Sequence, residues 1–98
     1  MMRHVVLRAF KDGVTQEQIS ELEERTRALV AIDGVRSVVT GPNLDLVPRS
    51  DGFQHVTLID MDGPDTLPAF IADPVHRATA ELSARLVGRS VILDLAVD

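Results

Sequence analysis

Three β-rich segments of this chain are apolar on both of their faces. In RHVVLRAF (residues 3–10), Val5, Leu7 and Ala9 share one parity while Val6 and Phe10 share the other. In FQHVTLIDM (53–61), Val56 and Leu58 stand opposite Thr57, Ile59 and Met61. In SVILDLAV (90–97), Val91, Leu93, Leu95 and Val97 stand opposite Ile92 and Ala96. Side chains of a strand alternate between faces, so a sheet built from such strands has to be covered twice.

Only two stretches read as helical. Thr15 opens the first, and Gln18 three residues later makes a capping box. Ile19, Leu22, Thr26, Leu29 and Val30 recur at helical spacing, Glu21/Arg25 and Glu23/Arg27 are placed as outward pairs, and Asp33-Gly34 ends the segment. The second stretch is broken. Gly63-Pro64 starts a short piece containing Pro68, and Asp73-Pro74 starts another that runs to Gly88. Asp73 suits an N-cap, and Pro74 the first helical position, where its missing N–H costs nothing.

VRSVVTG (35–41) supplies the remaining strand, followed by a polar connection through Pro42, Asn43, Pro48 and Gly52. The order is therefore β-α-β-β-α-β within a single domain, residues 1–98. That order predicts an α+β, ferredoxin-like fold with helices on one face of a four-stranded sheet. Leaving the other face wet forfeits about 25 cal/mol per Å² of apolar area, a large loss for a domain of ordinary stability. A second copy related by a two-fold axis is the simplest cover, so a homodimer through the open sheet face is expected.

Composition narrows the function. The chain has 98 residues, 26% of them charged, with a net charge of −5. A nucleic-acid or anionic-membrane partner is not expected, because neither would find a basic face. No cysteine is present, which excludes thiolate chemistry and disulfides. No apolar run approaches the roughly 20 residues that span a bilayer. The opening MMRHVVLRAFKDG has too short an apolar segment for a signal peptide, so a cytoplasmic location is expected. There is no nucleophile elbow and no phosphate-binding glycine loop. The histidines are too far apart in sequence for a metal motif, and Asp60, Asp62 and Asp65 read as a solvated turn. No cofactor or metal is expected.

HVVLRAFKDGVT, TGPNLD with Gly41 and Asn43, RSDGFQHVTLI, FIADPVH and VILDLAV follow one another over nearly the whole chain. In that order they resemble the stress-responsive A/B barrel (Dabb) family. The resemblance implies a dimeric α+β barrel. Function within that family is diverse. Many members are known only as stress-associated proteins, whereas others are plant polyketide cyclases such as olivetolic acid cyclase. Those cyclases close a linear polyketide by an aldol reaction without a cofactor, in a histidine-lined pocket between sheet and helices.

Carried over residue by residue, His4, His55 and His76 match the cyclase histidines. Phe70 stands where the cyclases have a tyrosine, Asp73 replaces the first histidine of their motif, and the chain has no tyrosine at all. The resemblance implies His76 as base and His4 and His55 as donors or orienting groups. Imidazole titrates near neutral pH and suits that work. His76 lies at the margin of its helix's apolar side, near Ser83 and Val87. The first and third strands are expected to be parallel neighbours, which would bring His4 and His55 together.

Arg8 shares the parity of His4, Val6 and Phe10. Two readings are open for it. It either presents a guanidinium to the pocket, where its fork would hold a carboxylate or enolate, or reaches the rim and pairs with an acid such as Asp60 or Asp94. Val6, Phe10, Thr26 and Phe70 complete the expected ligand-binding set. The expected ligand is a small acidic or polyketide-like molecule, with aldol-type cyclase or lyase chemistry. The alternative is a non-catalytic stress-associated protein whose histidines serve only the structure.

Overall fold

The computed structural model describes residues 1–98. Strands β1 (Met2–Phe10), β2 (Val35–Pro42), β3 (His55–Met61) and β4 (Val87–Ala96) form one sheet in the order β2-β3-β1-β4. Helices α1 (Gln16–Arg27), α2 (Leu67–Ala72) and α3 (Pro74–Leu86) complete the chain. This is a ferredoxin-like α+β fold.

The helix starts follow local chemistry. Thr15 accepts from the Gln18 backbone N–H while the Gln18 side chain accepts from Thr15 N–H, closing the capping box. Asp73 accepts from Val75 N–H ahead of Pro74, so the chain breaks between α2 and α3 and restarts on a capped turn. After α1 the backbone tightens into a 3-10 turn, Ala28–Ala31. Its three residues per turn rotate Val30 outward, against the helical spacing, while Leu29 stays buried. Gly34 has φ +86°, and a Cβ there would stand 2.5 Å from the Thr66 methyl. Both its conformation and the close approach of the α2 segment therefore favour glycine.

Two expectations are corrected. All strand pairs are antiparallel, including β1 with β3, where His4 faces Ile59 and Arg8 faces His55. His4 and His55 therefore lie at opposite ends of the shared ladder. The helix α3 stops at Leu86, and Val87–Arg89 already belong to β4, because a register shift at Ala9/Phe10 lets Val87 pair with Phe10.

The core lies between sheet and helices. Met2, Leu29, Ile32, Ile59, Met61 and Phe70 form one cluster; Leu22, Leu82 and Leu86 form a second. The opposite sheet face is uncovered in the single chain. Val39, Leu93 and Leu95, which share the face of Val5 and Leu58, are 62%, 55% and 58% exposed.

Candidate functional site

Antiparallel pairing places a specific set of polar side chains on the helix-facing side of the sheet. His4 and Arg8 point there from β1, separated by Val6, and the register puts Asp94 beside His4 and Ser90 beside Arg8. Across the gap, His76, Ala80 and Ser83 occupy one side of α3 at helical spacing. Together with Leu29, Ile59, Phe70 and Ile92, all of these except Asp94 line an open-sided cavity of about 330 Å³. A wider hollow beneath the 43–50 loop contains no histidine.

The hydrogen bonds of two imidazoles place a proton on Nδ1. His76 Nδ1 lies 3.2 Å from the Ile71 carbonyl oxygen. A carbonyl can only accept, so Nδ1 carries the proton and Nε2 keeps its lone pair in the neutral ring. His4 Nδ1 lies 2.6 Å from Asp94 Oδ1, and a carboxylate accepts, so Nδ1 carries a proton there too. Burial pushes the His76 pKa below its ordinary value; the Ile71 bond and Asp73 raise it, while nearby His4 lowers it further. The proximity of His76 to the start of α3 acts in the same direction, because a cation is unfavourable at the positive end of a helix.

Phe70 ties the two rings together. Its centroid is 4.6 Å from that of His76 and 6.1 Å from that of His4. Phe70 is fully buried, so it forms an apolar wall between them and brings no hydroxyl.

Arg8 is buried, with 8% of its surface exposed. Nη1 donates to Thr57 Oγ1 at 2.7 Å and Nε donates to Ser83 Oγ at 3.3 Å. None of the chain's ion pairs involves it. Asp60 is bound by Arg3, whose guanidinium holds the Asp60 carboxyl below its usual range, and Asp94 is bound by His4. The reading in which Arg8 pairs with one of these acids is therefore corrected.

The other sequence candidates fall elsewhere. His55 is buried at the far end of β3 and does not line the cavity. Its Nε2 donates to Glu23 at 2.8 Å, Phe10 packs edge-on against it at 5.6 Å, and its Nδ1 has no partner. Glu23 thus turns inward and does not pair with Arg27 on the outside. Phe10 packs with the second core cluster, and the Thr26 hydroxyl donates to the Leu22 carbonyl within α1. Neither lines the cavity, whereas Val6 does.

Asp94, Ser83 and Thr57 were not among the sequence candidates for this site. Strand alternation alone would have found Asp94, which shares the parity of Ile92 and Ala96. Ser83 lies seven residues from His76, on the same side of α3.

The pattern of the stress responsive A/B barrel domain matches residues 2–97. The chain belongs to the Dabb family. It is similar to the stress-response A/B barrel domain-containing protein HS1 of Arabidopsis thaliana, with 26% identity over 94 residues, covering 95% of this chain and 86% of HS1. A dimeric ferredoxin-like protein of unknown function from Thermobifida fusca is 26% identical with a TM-score of 0.86, over 98% of this chain and 90% of the other. The hydroxynitrile lyase from Passiflora edulis shares the fold at a TM-score of 0.85 and 20% identity, over 99% and 93% of the two chains. No helix of this Dabb chain is long and apolar enough to cross a membrane.

Proposed function

We propose that this Dabb protein works as a homodimer that binds a small carbonyl-bearing molecule in the cavity of each subunit. Its chemistry is cofactor-free, of the aldol cyclase or lyase type. The convergence of His4 and His76 around Phe70, on a cavity of about 330 Å³, is the observation that carries this reading. That volume is at the low end for small-molecule sites.

His76 serves as the base. Its Nδ1 proton is held by Ile71 and burial favours the neutral ring, so Nε2 accepts a proton from a hydroxyl or from carbon next to a carbonyl. His4 serves as the opposing donor in its imidazolium form, giving its Nε2 proton and returning to the neutral ring. Asp94 orients its ring and stabilises the charge that develops when Nε2 holds a proton destined for the substrate oxygen. Phe70 supplies the apolar wall in place of a phenol.

The Passiflora edulis enzyme, a hydroxynitrile lyase of the same fold, supports the lyase side of this reading. The dimeric Thermobifida fusca relative, together with exposed Val39, Leu93 and Leu95, supports pairing through the open sheet face. Sedimentation should give a dimer that Leu93→Lys converts to monomer; a wild-type monomer would contradict the assembly.

The catalytic reading is tested by assaying wild type, His76→Gln and His4→Gln for cyanide release from an aromatic hydroxynitrile and for ring closure of a linear triketide. Activity lost in both variants is expected. Absence of turnover in wild type would favour a non-catalytic stress-associated protein, in which these histidines only bond Ile71 and Asp94.

A further inference from the structure

We infer that Arg8 makes the inner end of this cavity a carboxylate-recognition site, so that the ligand is an acid bound head-first. The inference rests on the proposed pocket and specifies its ligand class. Arg8 is a cavity-lining guanidinium, nine-tenths buried, and it meets no carboxylate. Buried charges are ordinarily paired, because the cost of removing an ion from water is recovered only by an opposing charge and full hydrogen bonding.

Its present partners are neutral hydroxyls, and they engage only part of it. Thr57 Oγ1 takes a proton from Nη1, and Ser83 Oγ takes the one from Nε. Thr57 passes the arrangement on, lying 2.8 Å from Thr40 Oγ1, which in turn reaches the Val56 carbonyl. These contacts orient the guanidinium without neutralising it. A guanidinium carries five N–H donors, and here Nη2 donates to no protein atom. The free edge formed by Nη2 and the second proton of Nη1 is the edge that grips a carboxylate with two parallel hydrogen bonds. Burial lowers the pKa of Arg8, and no acid of the chain offsets it.

The placement also orients the ligand. His4 and Arg8 lie four residues apart on one face of β1, so their backbone positions are separated by about 13 Å. Val6 lies between them, with Leu29 and Ile59 also lining the cavity. A carboxylate at Arg8 therefore places an apolar body along the middle of the cavity. The end remote from the acid reaches His4 and His76.

Paired probes test this. Phenylacetate and hexanoate would be titrated against phenylacetamide and hexanamide by calorimetry, while the Arg8 Nε–H and imidazole signals are followed by NMR. Wild type should bind the acids at least about tenfold tighter than the amides, with the Arg8 signal moving. Arg8→Met should lose that preference while still binding the amides, and Arg8→Lys should keep part of it. Equal binding of acid and amide by wild type, or undiminished acid binding by Arg8→Met, would overturn the inference while leaving the pocket reading intact. Failure of all four probes to bind wild type would overturn both. Acid preference together with absent turnover would support the Arg8 site and sink the catalytic proposal alone.

Discussion

Two histidine sites occupy opposite ends of the same helix-covered sheet face, and they differ in what their free nitrogens meet. At one end, His4 and His76 each commit Nδ1 to an acceptor and line a cavity beside Phe70. At the other, His55 commits Nε2 to Glu23, lies under Phe10, and does not line that cavity. The residue type is the same and each ring touches a phenylalanine. Access separates them: a base has to reach a substrate, and an imidazole sealed among Phe10, Glu23 and the sheet serves packing. The cavity runs from the Phe70 wall beside His4 and His76 to Arg8, which is the ladder partner of His55 and meets no carboxylate.

The two histidine ends should differ most under His76→Gln. Loss of the proposed base should lower turnover by about 100-fold or more, with the denaturation midpoint nearly unchanged, whereas His55→Gln should do the reverse. Equal losses of activity in the two variants would erase the distinction. Next in size, Glu23→Ala leaves His55 Nε2 buried without an acceptor. Urea unfolding should show a loss of about 1–3 kcal/mol, with ligand binding at the cavity preserved. Asp94→Asn should cost roughly tenfold in kcat, the scale of one charged hydrogen bond, with KM little changed. An effect on KM alone would mean that Asp94 only shapes the cavity.

The smallest effect is on stability against pH. The folded His76 pKa lies below its unfolded value near 6.5, so the unfolded chain takes up a proton first as pH falls. Its contribution is therefore fully present above about pH 6.5 and is lost as pH drops through the folded pKa. His76→Gln should flatten that part of the profile, and a profile with unchanged slope would show that His76 is not held neutral.

Much of the fold was legible because it rests on local rules. The capping box at Thr15, the Asp73-Pro74 restart and the two apolar parities of β1, β3 and β4 are written in short stretches. The cavity was legible in part. Alternation placed Arg8 with His4, and helical spacing placed His76 with Ser83. Two features depended on long-range register, which alternation does not encode. The antiparallel pairing of β1 with β3 set His55 opposite Arg8, far from His4. The β1–β4 ladder brought Asp94 beside His4. Glu23 was hidden for a different reason: charge spacing on α1 suggested an outward pair, and only the buried His55 gave it cause to turn in.

The most direct test needs no ligand. Long-range ¹H–¹⁵N spectra of the three imidazoles at neutral pH report which ring nitrogen carries the proton. Nδ1 should be protonated in His4 and His76, with neutral His76 leaving Nε2 bare, and His55 should show the opposite arrangement, with its proton on Nε2 toward Glu23. A His76 ring protonated on Nε2, or a His55 ring sharing the arrangement of the other two, would contradict these assignments.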